Sequence, residues 1–368
     1  MTTDTLTTTL KTLQVRVRDK HASVLRQWSY ECNQIWNNAN TITSEFSYVP
    51  VPEVGYVRTF FTAFDLAKQQ AAYKKSSGFT IHSGTTQEVT EAHAKARKQF
   101  KKDKLKWRVS GGSKRSLGWV PFKKGAVTWK NGQIYYNKHY FNVWDSYGLS
   151  KYQFRSGSFS EDARGRWYLN IVVEVPVTMS TGKGQIGIDL GLKDTATCSN
   201  GQKLERGDFY RNMEEKIAKA QRAKKKDRVR ALHAKVKNRR KDALHKFTTD
   251  LINANELIVV GDVKSSSLAK TTMAKSIYDA GWFMLKTYLK YKAIARSVVF
   301  LEVNESYSTQ TCSCCGSISS NSPKGRAGLG IREWECSDCG TLHDRDTNAA
   351  TNILAAGHCR LAGGIPVL

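Results

Sequence analysis

Apolar and polar residues alternate one by one near the start of the chain, with Leu13, Val15 and Val17 set against Gln14, Arg16 and Arg18. That period of two predicts a half-buried strand with a basic outer face. The period then lengthens: Leu25, Trp28, Cys32, Ile35 and Trp36 recur at helical spacing, which puts these aromatics in a core rather than on a base-stacking surface. Helical patterning is read from Val54 to Phe100, through FFTAFDLAKQQAA and a Thr-led TTQEVTEAHAKARKQF whose polar face carries His93, Lys95, Arg97 and Lys98. Strands return between Lys101 and Val177. Asn131-Gly132 parts two apolar runs as a hairpin turn, and Trp167, Leu169, Ile171, Val173 and Val175 alternate in a second hairpin.

After the linker MSTGKG, QIGIDLGLKDTATCSNG reads as a buried strand ending in Asp189, a turn at Gly191 and a second strand. A helical, strongly basic segment follows over about Arg206 to Phe247, with Ile217, Val229, Leu232 and Val236 as a narrow apolar seam. Then come the strand ELIVVGD, a helix through WFMLKTYLKYKAIARS, the strand VVFLEVNE, a cysteine-bearing segment and an Ala-rich helix. Strands and helices in that order predict an α/β domain with one mixed sheet, following a half made of strands interrupted by helices.

Charge changes the picture. Lys and Arg number 58 against 32 Asp and Glu, a formal excess of +26. Such an excess attracts a polyphosphate and releases its counterions, so nucleic acid is the expected partner. Lys224, Lys225, Lys226, Arg228, Arg239 and Arg240 splay from the basic segment with one sign of charge, which suits a nucleic-acid backbone. No apolar run approaches the ~20 residues of a membrane span, and a membrane partner is not expected. Eight cysteines without a secretory signal argue for reduced thiols.

Cys312/Cys315 and Cys336/Cys339 form two Cys-x-x-Cys pairs separated by 20 residues. Each pair turns two thiolates toward one ion, so together they supply the four ligands of structural Zn²⁺. Cys314 could exchange with a neighbouring ligand, while Cys32, Cys198 and Cys359 read as small core hydrophobes. Asp189, Glu305 and Asp346 each stand at the end of an element. Should those ends adjoin, three hard oxygen ligands converge as Mg²⁺ or Mn²⁺ requires, and such ions promote phosphodiester hydrolysis.

IDLGLKD, VNESYSTQTCSCCG, WECSDCG and DRDTNAATNIL resemble the RuvC motifs and zinc ribbon of the TnpB nucleases of bacterial transposons, relatives of type V CRISPR effectors and Fanzor proteins. The resemblance is specific over about Gly184 to Ala356 and diffuse before it. It implies a RuvC domain of ribonuclease H-like fold in two parts, residues 179–310 and 341–368, with a zinc ribbon at 311–340. Residues 1–178 would be a recognition half: a wedge-type β-barrel with strands at about 10–20 and 105–178, carrying a helical insertion at about 21–104. The implied activity is cleavage of double-stranded target DNA beside a short motif, guided by RNA from the transposon end, in the bacterial cytoplasm at the nucleoid. By motif, Asp189 is the first carboxylate and Asp346 the third, because the ligand lies two residues before the Asn of D-x-N-A-A; Arg345 would offset phosphate charge.

At the second carboxylate the chain departs, with Gly261 where most members carry glutamate. Either the site is dead or another acid replaces it. Glu305 matches a position some members use, whereas Asp262 would point to the opposite face of its strand. Two other classes remain: a guided binder that represses without cutting, and a strand-transfer transposase, since carboxylate triads on related folds also join DNA.

Overall fold

In the computed structural model the opening alternation forms β1 (Thr8–Val17), with Leu13, Val15 and Val17 buried. Residues 8–45, 48–58, 61–263, 268, 270–325 and 327–363 are described. The chain divides into two compact units, one spanning Leu10–Val175 and the other running from Pro176 onward.

In the first unit, α1 (Ala22–Glu45) buries Leu25, Trp28, Cys32 and Ile35, as its spacing requires. A short hairpin, β2 (Tyr48–Val51) and β3 (Gly55–Arg58), lies where helix was expected from Val54. Thr62 then closes a capping box with Asp65 at the start of α2 (Ala63–Ser76), and α3 (Ser83–Phe100) packs beside it. The strands resume at Trp119, later than the expected residue 105: β4 (Trp119–Phe122), β5 (Val127–Lys130), β6 (Gln133–Tyr136), β7 (His139–Phe141), β8 (Val143–Trp144), β9 (Phe154–Glu161) and β10 (Trp167–Pro176). Asn131 and Gly132 both take positive φ, 51° and 73°, in the two-residue turn joining β5 to β6. Hydrogen bonding gives a five-stranded sheet in the order β4-β9-β10-β1-β8 and a three-stranded sheet β5-β6-β7 around one apolar core.

The second unit is a mixed five-stranded sheet covered on both faces. Its strands are β11 (Gly184–Asp189), β12 (Asp194–Cys198), β13 (Lys203–Glu205), β14 (Asn255–Gly261) and β15 (Val299–Val303), in the order β13-β12-β11-β14-β15. The first three form an antiparallel meander, while β14 and β15 run parallel to β11. Ile258 and Val260 of β14 join the core beneath α5 (Lys226–Ala254) and α7 (Trp282–Arg296); Leu257 and Val259 join the core with Ile353 of α8 (Arg345–Ala362). Between these lie α4 (Arg211–Arg222) and α6 (Ala274–Ala280). The basic helical segment is thus broken at Ala223–Lys225, where Lys224 takes φ 52°.

Strand parity decides what faces α8. Gly187, two residues before Asp189, lies against it so closely that an added Cβ would stand 2.0 Å from the Ala350 carbonyl. The Gly187→Ala variant is expected to lose about 2 kcal/mol or more of stability, because backbone rather than a flexible side chain blocks the methyl. Urea denaturation compared with a Gly111→Ala control, where the added carbon meets nothing within 4 Å and the backbone is not left-handed, checks this expectation.

Candidate functional site

Asp189 ends β11 on the face that Gly187 turns to α8. Glu305 lies two residues beyond β15, whose Leu301 and Val303 line the same core, and Asp346 stands in the first turn of α8. Burial, and then the charges of Asp346 and Glu305, push the Asp189 carboxyl up to about 7. Glu305 is pushed up to about 6, by burial and by Asp262. Asp189 thus feels both of the other predicted carboxylates and Glu305 feels Asp262, but among the described residues only the four cysteines, and not these acids, have ligand atoms all within 4.8 Å of one another.

Gly261 explains how Glu305 reaches this place. A Cβ built on Gly261 would lie 2.5 Å from Oε2 of Glu305 and 3.2 Å from its Cβ. The glutamate fills the space that a side chain at 261 would need. Its Oε2 is buried without a hydrogen-bond partner among the described residues. An orphaned carboxylate oxygen carries a desolvation cost that a cation would relieve.

Asp346 is held differently. Arg345 donates from Nε and Nη2 to Oδ1 at 3.0 and 2.8 Å, and Arg332 donates from Nη1 to Oδ2 at 3.0 Å. Arg332 was missed from the sequence, where it is a lone arginine after a Gly-rich run. Asp344 is the N-cap of α8, accepting from the Thr347 N–H, and pairs with Lys203 at 3.2 Å. Although burial opposes it, those contacts hold Asp344 below the usual carboxylate range.

The Sγ atoms of Cys312, Cys315, Cys336 and Cys339 all lie within 4.8 Å of one another. Cys312 to Cys339 is 3.6 Å and Cys315 to Cys336 is 3.8 Å, close to the ~3.8 Å edge that follows from Zn–S bonds of about 2.3 Å in a tetrahedron. The cluster can hold zinc. The two knuckles match: the Gly316 N–H donates to Cys312 O at 2.9 Å, and the Gly340 N–H to Cys336 O at 2.8 Å. His343 places Nε2 3.0 Å from Cys312 Sγ and its ring against Trp334, a partner outside the four ligands that sequence spacing did not reveal. Cys314 is exposed and outside the cluster. Cys32 and Cys198 are buried as expected, but Cys359 is exposed, so its reading as a core residue is corrected.

Lys224, Lys225, Lys226, Arg228 and Arg239 are exposed, as a backbone-facing row would be. Arg240 is not among them: it turns inward to Asp279 at 2.7 Å, and Asp279 also accepts from the Tyr210 N–H. No helix among the described residues is long and apolar enough to cross a membrane.

Fold and site together define a mixed α/β protein whose sheet ends in Asp189 on the face covered by the helix of Asp346, in the unit that also holds a four-cysteine cluster. Residues 170–272 match the family described as "Probable transposase", and residues 282–353 match the "Cas12f1-like, TNB domain". A Streptomyces pristinaespiralis protein, named provisionally as an RNA-guided DNA endonuclease, is 32% identical over 68% of this chain and 65% of its own length. An Escherichia coli K12 protein given the same provisional name, InsQ, is 30% identical over 54% of this chain and 56% of its own. The chain thus spans less than two thirds of either relative. A solved Cas12f1–sgRNA–target DNA complex has the same fold at 12% identity, with a TM-score of 0.58 covering 94% of this chain and 99% of that one. Over residues 170–272 and 282–353 the chain is thus similar to these two families.

The carboxylates generate a pH dependence. Asp189 and Glu305 have folded-state values raised above their unfolded ones, so their contribution is complete below about pH 4 and is lost as pH rises through about 6 to about 7. The melting temperature of metal-free protein is expected to fall between about pH 5 and about pH 8, and Asp189→Asn to flatten that slope. Added Mn²⁺ should restore stability above neutral pH, and its binding near pH 6, where the carboxyls still hold protons, should release protons that calorimetry in buffers of different ionisation enthalpy would count.

Proposed function

We propose that the chain is a transposon-encoded, RNA-guided DNA endonuclease in which Asp189, Glu305 and Asp346 hold Mg²⁺ or Mn²⁺. The observation that carries this reading is the seating of Glu305 over Gly261: the oxygen left without a partner belongs to the acid that replaces the missing second carboxylate. The donor set is all oxygen, as a hard divalent ion prefers. Such ions, when bound, supply an activated water and neutralise charge on the leaving oxygen of a phosphodiester. Asp189, Glu305 and Asp346 orient that chemistry at one end of the sheet. Arg345 and Arg332, which satisfy Asp346 here, are placed to take a phosphate oxygen instead.

The order β13-β12-β11-β14-β15, antiparallel then parallel, supports a ribonuclease H-like RuvC domain split by the ribbon into residues 179–310 and 341–368. The four cysteines at 311–340 hold structural Zn²⁺. Residues 1–178 serve as the recognition half, a wedge-type barrel with a helical insertion; the two sheets about one core in Leu10–Val175 are compatible with that role. On its outer face Arg16 and Arg18 lie 4.7 and 5.0 Å over the half-exposed Trp144 ring, a pairing of cation and aromatic suited to nucleic acid. Guide RNA and double-stranded target DNA are the partners: base pairing chooses the sequence, while protein groups grip the backbone and read the adjacent motif, in the bacterial cytoplasm. Lys224, Lys225, Lys226, Arg228 and Arg239 belong to that grip.

Purified ribonucleoprotein incubated with matched target DNA and Mg²⁺ should cut it. The Glu305→Ala variant is expected to slow cutting by at least about a hundredfold, since a metal ligand contributes several kcal/mol to the transition state, while Asp262→Ala retains it. Gly261→Ala should behave like Glu305→Ala, because its methyl displaces the carboxylate. Gel shift without cutting by the unaltered complex would identify a silent guided binder, and strand-transfer products without added RNA a transposase.

A further inference from the structure

Two asparagines of α8 have no part in the chemistry above, yet both are spent on one loop. Asn348, 3% exposed, and Asn352, one helical turn on, project from the same face of the helix that carries Asp346. Asn348 donates from Nδ2 to Thr311 O at 2.8 Å and Ser308 O at 3.3 Å; Asn352 donates to the same two carbonyls at 2.7 and 2.8 Å. Asn348 Oδ1 also accepts from the Ser313 N–H at 2.8 Å. Both amides bracket residues 308–313. That short run has Glu305 at one end, where the Glu305 carbonyl accepts from the Ser308 N–H at 3.1 Å, and the zinc ligand Cys312 at the other.

The segment leading into the second knuckle reaches the same helix. The Arg345 N–H donates to Arg332 O at 2.7 Å, and Arg332 in turn holds Asp346. The four-cysteine cluster is thus tied to α8 on both sides of the carboxylate centre. Side-chain amides that fix two backbone carbonyls act as rigid spacers, since their planar donors leave little torsional freedom.

We propose that Asn348 and Asn352 are positioning residues: they set Glu305 against Asp346 and make divalent-ion binding at the carboxylate centre depend on an intact zinc ribbon. The inference rests on the proposed nuclease centre. An uncoupled ribbon would need no bond to α8 on the Glu305 side, and Asn348 would not be buried to form one.

The test uses the full chain free of RNA, Mn²⁺ as the probe read by paramagnetic resonance, and zinc counted by elemental analysis. Asp189→Asn is the reference that identifies the carboxylate site: if it leaves Mn²⁺ binding unchanged, the nuclease-centre reading itself fails. If Asp189→Asn removes a Mn²⁺ site, Asn352→Asp, which keeps shape but loses the donors, should weaken that site by about 10- to 100-fold with zinc content unchanged, the range seen when a ligand's supporting partner is lost. Asn352→Gln, which keeps an amide, should recover part of that loss. Cys339→Ser, which opens the zinc cluster, should weaken the same site without touching any of its ligands. Leu285→Ala, a core truncation under α7, is the stability control. Unchanged Mn²⁺ affinity in both Asn352→Asp and Cys339→Ser overturns the proposal. So does a loss that Leu285→Ala reproduces at equal loss of melting temperature. Should Asn352→Asp not fold, Asn352→Gln and Cys339→Ser decide by the same criteria.

Discussion

Carboxylates of one sign, held together where water is scarce, raise each other's energy, and only positive charge relieves them. The second unit is built to impose that condition. Burial and the charge of neighbouring acids act on Asp189, which faces Asp346 and Glu305, and on Glu305, which faces Asp262, while Asp346 is answered by Arg332 and Arg345. The stabilising work is done elsewhere, by the apolar cores on both faces of the sheet. Those cores lock the strand ends and α8 into a register in which the acids cannot move apart.

The cysteine cluster has a second consequence beyond local stability. A ribbon of this size has a small apolar core, Cys312, Trp334 and Cys336, so a metal held by the four cysteines would fix its shape. Its first knuckle and the segment leading into its second then contact the helix that carries Asp346, and the loop leading into the first knuckle carries Glu305. If the proposed carboxylate centre holds its ion, a staple that shares its helix would transmit error to it, which makes precision in the first a condition of function in the second.

Local signals in the sequence were enough where chemistry and spacing coincide. The knuckles followed from Cys-x-x-Cys pairs, the β5–β6 turn from Asn131-Gly132, and Asp189 from a buried run that stops at an acid. What escaped depends on residues distant in the chain. Arg240 finds Asp279 only after α6 folds back, Arg332 finds Asp346 only when the second knuckle closes, and Asn348 and Asn352 read as ordinary helix polar residues until the loop lies on them. The break at Lys224 lies in a polar, helix-compatible background without a breaker, whereas the hairpin at Tyr48–Arg58 carries Pro50, Pro52 and Gly55, breakers that a helical reading begun at Val54 passed over. That Glu305 stands in for position 261 was legible as an expectation from motif position, but the steric reason needed the register of β14 against β15.

The exclusive occupancy of one space by either of two positions bears on descent. A side chain on β14 at position 261 and Glu305 in this pose would contest the same volume, so the two cannot be held together. If Glu305 serves the proposed centre, the two positions can change only as a pair, and a chimaera that joined a β14 bearing its own acid to this ribbon loop would inherit a collision.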